Sequence, residues 1–397
     1  MKFAQRISQI KPSPTMAMAA KAKAMAAKGI EVTDFGLGEP DFNSPDVARE
    51  AGIRAIREGY TKYTPPSGSD ELKEAIVQKL KNENGLDYEK KEVIVSCGAK
   101  HTLYNIAQVL FERGDEVIIP APYWVSYPDQ VLLNDAAPVI VETREEDQFL
   151  LTPERLRKAI SPRTKALILN SPSNPTGSAY SAKQLEGLAE VLISAPIWIV
   201  SDEIYEKFIY DGAVHTSVAA LHPDLKRKTL VVNGVSKAYS MTGWRIGYAA
   251  GPKEVIEAMG TVQSQSTSNP TSISQKAAAA ALLGGASFIK TMVAEFDKRR
   301  GLVVERLNRI PGIRCPRPTG GFYVFPNVKG LMGKQAGGYQ INNSSDLALF
   351  LLEEGRVSTI AGEAFGADGY LRLSYAVSQE ILDKGLRQLE NAVLKLR

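Results

Sequence analysis

Lys237 sits where a β-branched run, Thr229-Leu-Val-Val-Asn233, gives way to a short turn, and Arg245 follows eight residues later. A lysine held by packed structure is a candidate Schiff-base nucleophile, because a partly deprotonated amine condenses with an aldehyde. An arginine nearby suits a phosphate, since its planar fork makes paired charge-assisted bonds. A phosphorylated aldehyde describes pyridoxal phosphate (PLP), which carries its own electron-sink chemistry. Alone, Lys237 reads far more readily as a surface lysine after a strand, so other residues have to carry the argument.

Such a cofactor needs further chemical parts, and the chain offers a candidate for each. Asp202 ends the apolar run Ile197-Trp-Ile-Val-Ser-Asp202, at a carboxyl end where open α/β sheets bind ligands. A buried anion there would keep a pyridine nitrogen protonated; the competing role is a helix N-cap. Tyr205 could aim its hydroxyl at a ring oxygen or pack under a loop. Asn174, in Asn170-Ser-Pro-Ser-Asn174-Pro-Thr-Gly177, lies in a turn whose two X-Pro bonds suit a fixed loop and cis peptides. Ser96-Cys-Gly98-Ala99-Lys100 joins a strand to a helix, where small residues let backbone N–H groups approach an anion. It lacks P-loop spacing, and Phe35-Gly36-Leu-Gly38 lacks the third glycine of a dinucleotide fingerprint. Trp124 is a stacking face or core. Arg372, inside the apolar Leu371-Arg372-Leu373-Ser374, needs a partner if buried: a carboxylate ligand or a structural Glu.

The elements that position these residues show in the apolar pattern. Strand-like runs occur at Glu92–Ser96, Glu116–Ile119, Pro138–Val141, Ala166–Leu169, Ile197–Val200, Thr229–Val232 and Trp244–Tyr248. They are short, β-branched and nearly continuous, as strands covered on both faces are. Helical stretches at Lys100–Glu112, Trp124–Leu133, Thr152–Ile160 and Ser181–Leu192 alternate with them, which predicts an α/β fold with a mostly parallel sheet between helices. After Pro252 long helical patterns dominate, at Lys253–Val262, Ser272–Leu283 and Ser287–Ile310. A strand at Gly320–Phe325, a helix at Asp346–Glu354, a strand at Tyr370–Ser374 and a helix from Ser378 complete a smaller α+β domain. The expected division is an N-terminal segment over 1–45 that joins the small domain, a large domain over 46–290 and a small domain over 291–397.

Composition narrows the class. The 397 residues suffice for two or three domains. Net charge is only +4, without a basic stripe interleaved with aromatics, so nucleic acid is not an expected partner. Cys97, Cys315 and the three histidines have no metal-ligand spacing. Two isolated cysteines fit a reducing compartment, and the expected location is the cytoplasm. No apolar run reaches the ~18–20 residues of a membrane span. The Ala-rich stretch Thr15–Lys28 reads as a helix ended by Gly29.

Taken in order, these pieces resemble the class I aminotransferases of PLP fold type I. The match is closest to the prokaryotic-type aspartate branch, which includes glutamate/aspartate–prephenate aminotransferases. The resemblance runs from Lys11-Pro-Ser-Pro-Thr15 to the last helix. It is carried jointly by Gly38-Glu-Pro-Asp-Phe42, Lys62-Tyr63-Thr-Pro, Pro122-Tyr-Trp-Val-Ser-Tyr, Asn174-Pro-Thr-Gly, Ser201-Asp-Glu-Ile-Tyr205, Ser236-Lys-Ala, Met241-Thr-Gly-Trp-Arg245 and Arg372-Leu-Ser-Tyr.

The resemblance implies a seven-stranded large-domain sheet and a role for each matched residue. Lys237 holds PLP and shuttles the proton. Asp202 pairs the pyridinium, Asn174 and Tyr205 bond the ring oxygen, and Trp124 stacks on the ring. Backbone from Gly98 through Ala99 to Lys100, with Ser236 and Arg245, holds the phosphate. Tyr63 reaches the neighbouring subunit's phosphate, implying a homodimer with shared sites. Arg372 and Asn174, with Gly38 backbone, hold the substrate α-carboxylate, and Lys100 with Thr15 reads a distal carboxylate. The expected activity is transamination between aspartate and 2-oxoglutarate, with prephenate as a further acceptor. A neutral- or aromatic-specific aminotransferase and a PLP-dependent lyase are the rival activities. Three positions depart from the family pattern: Gly234 where a serine is common, His101 where a neutral polar residue is expected, and Gly321 where alanine is commoner.

Overall fold

The computed structural model describes residues 3–10 and 14–397. Its centre is a seven-stranded sheet in the order Val93–Ser96, Gly247–Ala250, Thr229–Gly234, Trp198–Asp202, Thr164–Asn170, Glu116–Ala121, Ala137–Glu142. Gly247–Ala250 runs antiparallel to both neighbours, and the other pairings are parallel. Every residue of Val93–Ser96 and of Thr229–Gly234 is buried, whereas the edge strand Ala137–Glu142 is partly exposed. Full burial explains why both the edge strand Val93–Ser96 and the inner strand Thr229–Gly234 read as continuous apolar runs. Register sets Asn170 beside Asp202 at the carboxyl edge.

The helices between strands begin and end as their chemistry predicts. Ser181 and Gln184 form a reciprocal capping box at the start of Ala182–Ser194. Ser69 caps Asp70–Asn84, which Gly85 ends in the left-handed region at φ 66°. The latter helix and Asp46–Arg57 were absent from the sequence reading. Asp46–Arg57 and Ser272–Gly284 pack closely against each other, and both bury alanines where larger apolar residues would have marked the face.

A second body of structure stands beside the sheet. Ile360–Ala361, Leu371–Ser374 and Tyr323–Val324 form a three-stranded antiparallel sheet. Thr33–Asp34 pairs in parallel with Val357–Ser358, which joins N-terminal chain to this region. The expected strand over 244–248 is displaced to Gly247–Ala250, because Thr242–Trp244 forms a 3-10 turn and Arg245 takes φ 58°. Pro14–Ala26 is helical, while Lys11–Ser13, where the resemblance begins, lie outside the described residues. Among the described residues no single helix is long and apolar enough to cross a membrane.

An aromatic cluster joins the two bodies. Phe296 is fully buried, with ring centroids 5.7 Å from Phe42, 5.8 Å from Phe208 and 5.7 Å from Phe322. Phe296→Ala should cost about 3–5 kcal/mol, the range for a truncated buried aromatic. Urea unfolding followed by circular dichroism checks this; a loss below about 1 kcal/mol would show the cluster to be peripheral to stability.

Candidate active site

The carboxyl edge of the large sheet opens into a cleft of about 290 Å³, near the lower end of small-molecule sites. Gly38, Ala99, Lys100, Trp124, Asn174, Asp202, Tyr205, Ser236, Lys237, Arg245 and Arg372 all line it. Residues separated by over 300 positions thus converge on one space. The topology explains how. Parallel strands deliver Asn170 and Asp202 at their ends, and the antiparallel strand Gly247–Ala250 brings its entry residue Arg245 to the same edge.

Lys237 lies in the turn after Thr229–Gly234, and its ammonium donates to the Gly38 carbonyl at 2.6 Å. Burial, reinforced by the guanidiniums of Arg372 and Arg245 and opposed by Glu39 and Asp202, brings its pKa down to about 8. The amine is therefore partly in its nucleophilic form near neutrality. Asp202 is buried and accepts a 2.7 Å hydrogen bond from the Tyr127 hydroxyl. Its other oxygen accepts from the Ile204 N–H at 3.2 Å, so the carboxylate braces its own turn, where a helix N-cap had been the competing role. Burial pushes its pKa up to about 6, against the hydrogen bonds from Tyr127 and Ile204; a cation beside it would hold it ionised.

Asn174 accepts from Arg372 Nη1 at 3.0 Å and is held by its own N–H, which donates to Asn170 Oδ1 at 2.9 Å. The peptides Ser171–Pro172 and Asn174–Pro175 are both cis. The Tyr205 hydroxyl lies 2.9 Å from that of Tyr323. Arg372 is 4% exposed. Its guanidinium bonds the Gly36 carbonyl, lies 4.8 Å from the Tyr323 ring centroid and 5.1 Å from that of Phe365, and leaves a buried Nε without a partner. Among the described residues its contacts are with neutral groups, and Asp34 acts on it only as a nearby charge. Desolvation lowers its pKa from the usual value, so an anionic ligand would be welcome there.

The Cys97–Lys100 turn is shaped for close approach. Gly98 has φ 90°, and a Cβ there would collide with Arg245, whose side chain donates to Thr242 O at 2.8 Å and Cys97 O at 3.2 Å. A helix starts at Ala99, so backbone donors and a guanidinium face one small space, as a phosphate requires. With Lys237 for an aldehyde and Asp202 for a ring nitrogen, these residues fit PLP. Lys100 holds its ammonium 4.9 Å over the Trp124 ring, and burial with Arg245 nearby lowers its pKa.

One expected residue stands apart, and the side chain of another lies outside the described structure. Tyr63 is 90% exposed and outside this chain's cleft. Thr15 lies in the helix Pro14–Ala26, its side chain outside the described structure, while its neighbour Met16 lines the cleft. Tyr127, Tyr323, Asn170 and Thr242 also line it and received no role from the sequence. Tyr127 was visible as the end of the aromatic run from Pro122, but nothing local ties it to Asp202.

The three departures have physical explanations. A Cβ at Gly234 would stand 2.8 Å from the Ile246 carbonyl and 2.9 Å from Gly247 Cα, so a serine would not fit this pairing. Gly321 has φ 65°, which disfavours alanine. His101 Nδ1 accepts the Cys97 N–H at 3.2 Å, tying down the turn before Gly98.

A lysine with a lowered pKa near a buried carboxylate, beside arginines without a carboxylate ion pair among the described residues, suits an aldehyde cofactor and anionic ligands. The family model for aminotransferase class I and II matches residues 30–389. The aspartate aminotransferase of Geobacillus stearothermophilus is 50% identical over 389 residues, 98% of each chain. The aspartate/prephenate aminotransferase of Cereibacter sphaeroides is 50% identical over 386 residues, 97% of this chain and 96% of the relative. The crystal structure of the aspartate aminotransferase from Rhizobium meliloti matches with a TM-score of 0.97 at 46% identity, covering 100% of both chains. The chain belongs to the class I and II aminotransferases, enzymes that transfer nitrogenous groups.

A depressed Lys237 predicts a specific titration. Reductive trapping of an added aldehyde by the cofactor-free protein should be half-maximal near pH 8, rather than near the ordinary 10.5. Arg372→Met removes one of the cations that lower it, so the midpoint should rise. A midpoint near 10 in the unaltered protein would contradict the geometry.

Proposed function

We propose that the chain is a PLP-dependent aspartate aminotransferase, converting L-aspartate and 2-oxoglutarate to oxaloacetate and L-glutamate. The observation that carries this reading is Arg372, a buried guanidinium facing the cleft without a carboxylate partner among the described residues. It calls for an anionic substrate group close to Lys237.

In this reading Lys237 holds the cofactor aldehyde, Asp202 its ring nitrogen, Asn174 and Tyr205 its ring oxygen, and Trp124 its face. The Gly98, Ala99 and Lys100 backbone, Ser236 and Arg245 hold the phosphate. When bound, PLP supplies an electron sink for the bond broken at the substrate Cα. Lys237, with a pKa near 8, would take the proton from the substrate Cα and return it to the carbon that takes up the amino group. Arg372 and Asn174, with the Gly38 backbone, orient the α-carboxylate. Lys100 on its mobile stem, with Thr15, meets a distal carboxylate yet can withdraw from a neutral side chain. The exposed Tyr63 is assigned to the phosphate of a second copy, which makes the working form a homodimer. The cleft then lies between a large domain over 46–290 and a small one over 291–397, joined by 1–45.

A second reading adds prephenate as an acceptor. It is favoured by the Cereibacter sphaeroides relative, which is named for both substrates. Supplying the enzyme with prephenate and either aspartate or glutamate tests it, with arogenate as the product expected.

Lys237→Ala should lower turnover of aspartate with 2-oxoglutarate by at least about 10³-fold, since it removes a positioned acid–base group, while leaving a folded dimer. Normal turnover would refute the scheme. Lys100→Ala should raise the KM for aspartate by about 10–100-fold, the size of one lost charge-assisted bond, and leave alanine unchanged. Equal loss for alanine would favour the neutral-specific alternative; ammonia release without a 2-oxo acid acceptor would favour a lyase.

A further inference from the structure

The segment that follows the edge strand Ala137–Glu142 reaches across to the small sheet. Gln148 and Phe149 are consecutive non-glycine residues in the left-handed region, both at φ 56°, a conformation that persists where surrounding contacts enforce it. The Phe149 ring is edge-on to Tyr370 at 5.2 Å and to Phe325 at 5.7 Å. Within this turn Glu145 points a carboxylate, 12% exposed, at three donors from the other side. Arg314 Nη2 stands 2.8 Å from Oε1 as an ion pair whose angle is poor for a hydrogen bond. Oε2 accepts from Asn327 Nδ2 at 2.8 Å and from the Tyr370 hydroxyl at 3.0 Å.

Those donors come from three segments that are themselves joined, since Arg314 bridges Asn327 and Asn327 bridges Tyr370. Glu145 therefore grips a node rather than a loose side chain. From that node a ring stack leads inward. Tyr370 stacks on Phe325 at 5.1 Å with only 6° between planes, Phe325 meets Phe365 at 6.1 Å, and Phe365 underlies the Arg372 guanidinium at 5.1 Å. Arg372 also lies two residues beyond Tyr370 along the chain. Nothing in the assigned roles uses Glu145, yet a largely buried carboxylate held by three groups is an expensive anchor unless the position it fixes matters.

We propose that Glu145 is a positioning residue for Arg372: it ties the segment preceding that arginine to the large-sheet side and so sets the guanidinium's reach into the cleft. The inference rests on the reading of Arg372 as the α-carboxylate site. Glu145 touches neither substrate nor cofactor, so its effect is confined to ligands that Arg372 holds.

The test uses the PLP-loaded enzyme. Glu145→Ala should raise the KM for aspartate and the dissociation constant for maleate, followed by cofactor absorbance, by about tenfold, a coupling of ordinary size for connected residues. PLP affinity and the slow half-reaction with ethylamine, which has no carboxylate, should stay within twofold. In an Arg372→Lys background the same substitution should add less than twofold. An unchanged maleate constant, equal loss with ethylamine, or an undiminished effect in the Arg372→Lys background would each overturn the proposal. Unimpaired carboxylate binding by Arg372→Lys alone would instead overturn the reading of Arg372 on which it rests. Where Glu145→Ala fails to fold, Tyr370→Phe keeps the ring and removes one bond; it should raise the maleate constant about threefold, and no rise would overturn the proposal.

Discussion

Like charges crowded into one cleft set the terms for the rest of the molecule. Lys237, Arg245, Arg372 and Lys100 all line the same 290 Å³, and the buried Asp202 lines it too, while Glu39 outside that lining opposes the lowering of the Lys237 pKa more strongly. Each arginine lowers the Lys237 pKa, and Arg245 helps lower that of Lys100. Such an arrangement is costly in the bare protein and becomes favourable when anions enter. A phosphate and a carboxylate are the kinds of group that would balance it. Burial does most to lower the Lys237 pKa, and the neighbouring guanidiniums add to it, so the cation excess that favours anionic ligands assists, without by itself causing, the activation of the amine.

Holding cations together in one cleft requires rigid supports, and the fold supplies them at the backbone level. Arg245 is aimed by two carbonyls, those of Thr242 and Cys97. Arg372 is aimed by the Asn174 amide and the Gly36 carbonyl, and Lys237 by the Gly38 carbonyl. Neutral acceptors orient the charges without neutralising them, which leaves the positive potential available to a ligand. Glycine contributes where a side chain would intrude. A Cβ at Gly98 would meet Arg245, and one at Gly38 would meet the Tyr323 hydroxyl.

Much of this was legible in the sequence because it is local. Buried parallel strands announce themselves as short β-branched runs, and the residues just beyond them, Asp202, Asn174 and Lys237, sit where a doubly covered sheet binds ligands. The strand expected at Trp244–Tyr248 was misplaced because Trp244 ends a 3-10 turn and Arg245 is left-handed, so pairing begins only at Gly247, with Tyr248 inside the strand. The helices Asp46–Arg57 and Asp70–Asn84 were missed for different reasons. The first buries only Ala48, Ala51, Gly52 and Ala55, so small residues hide its apolar face. The second carries a mixed charged sequence whose buried Lys79 pairs with the buried Glu206.

Contacts between distant segments left no local trace. Tyr127 bonds Asp202 across 75 positions and Arg372 bonds Asn174 across 198. A tyrosine in an aromatic run looks the same whether it packs or donates to a carboxylate. Glu145 is the extreme case: in the sequence it is one acid among Arg144-Glu-Glu-Asp147, indistinguishable from a solvated turn. Its neighbours Arg144 and Glu146 do pair with each other on the surface, where such pairs contribute little. Glu145 alone turns inward, because the left-handed residues Gln148 and Phe149 bend the segment onto Tyr370. The backbone geometry of that turn, which composition does not encode, thus separates a carboxylate bonded to Tyr370 and Asn327 from a surface charge.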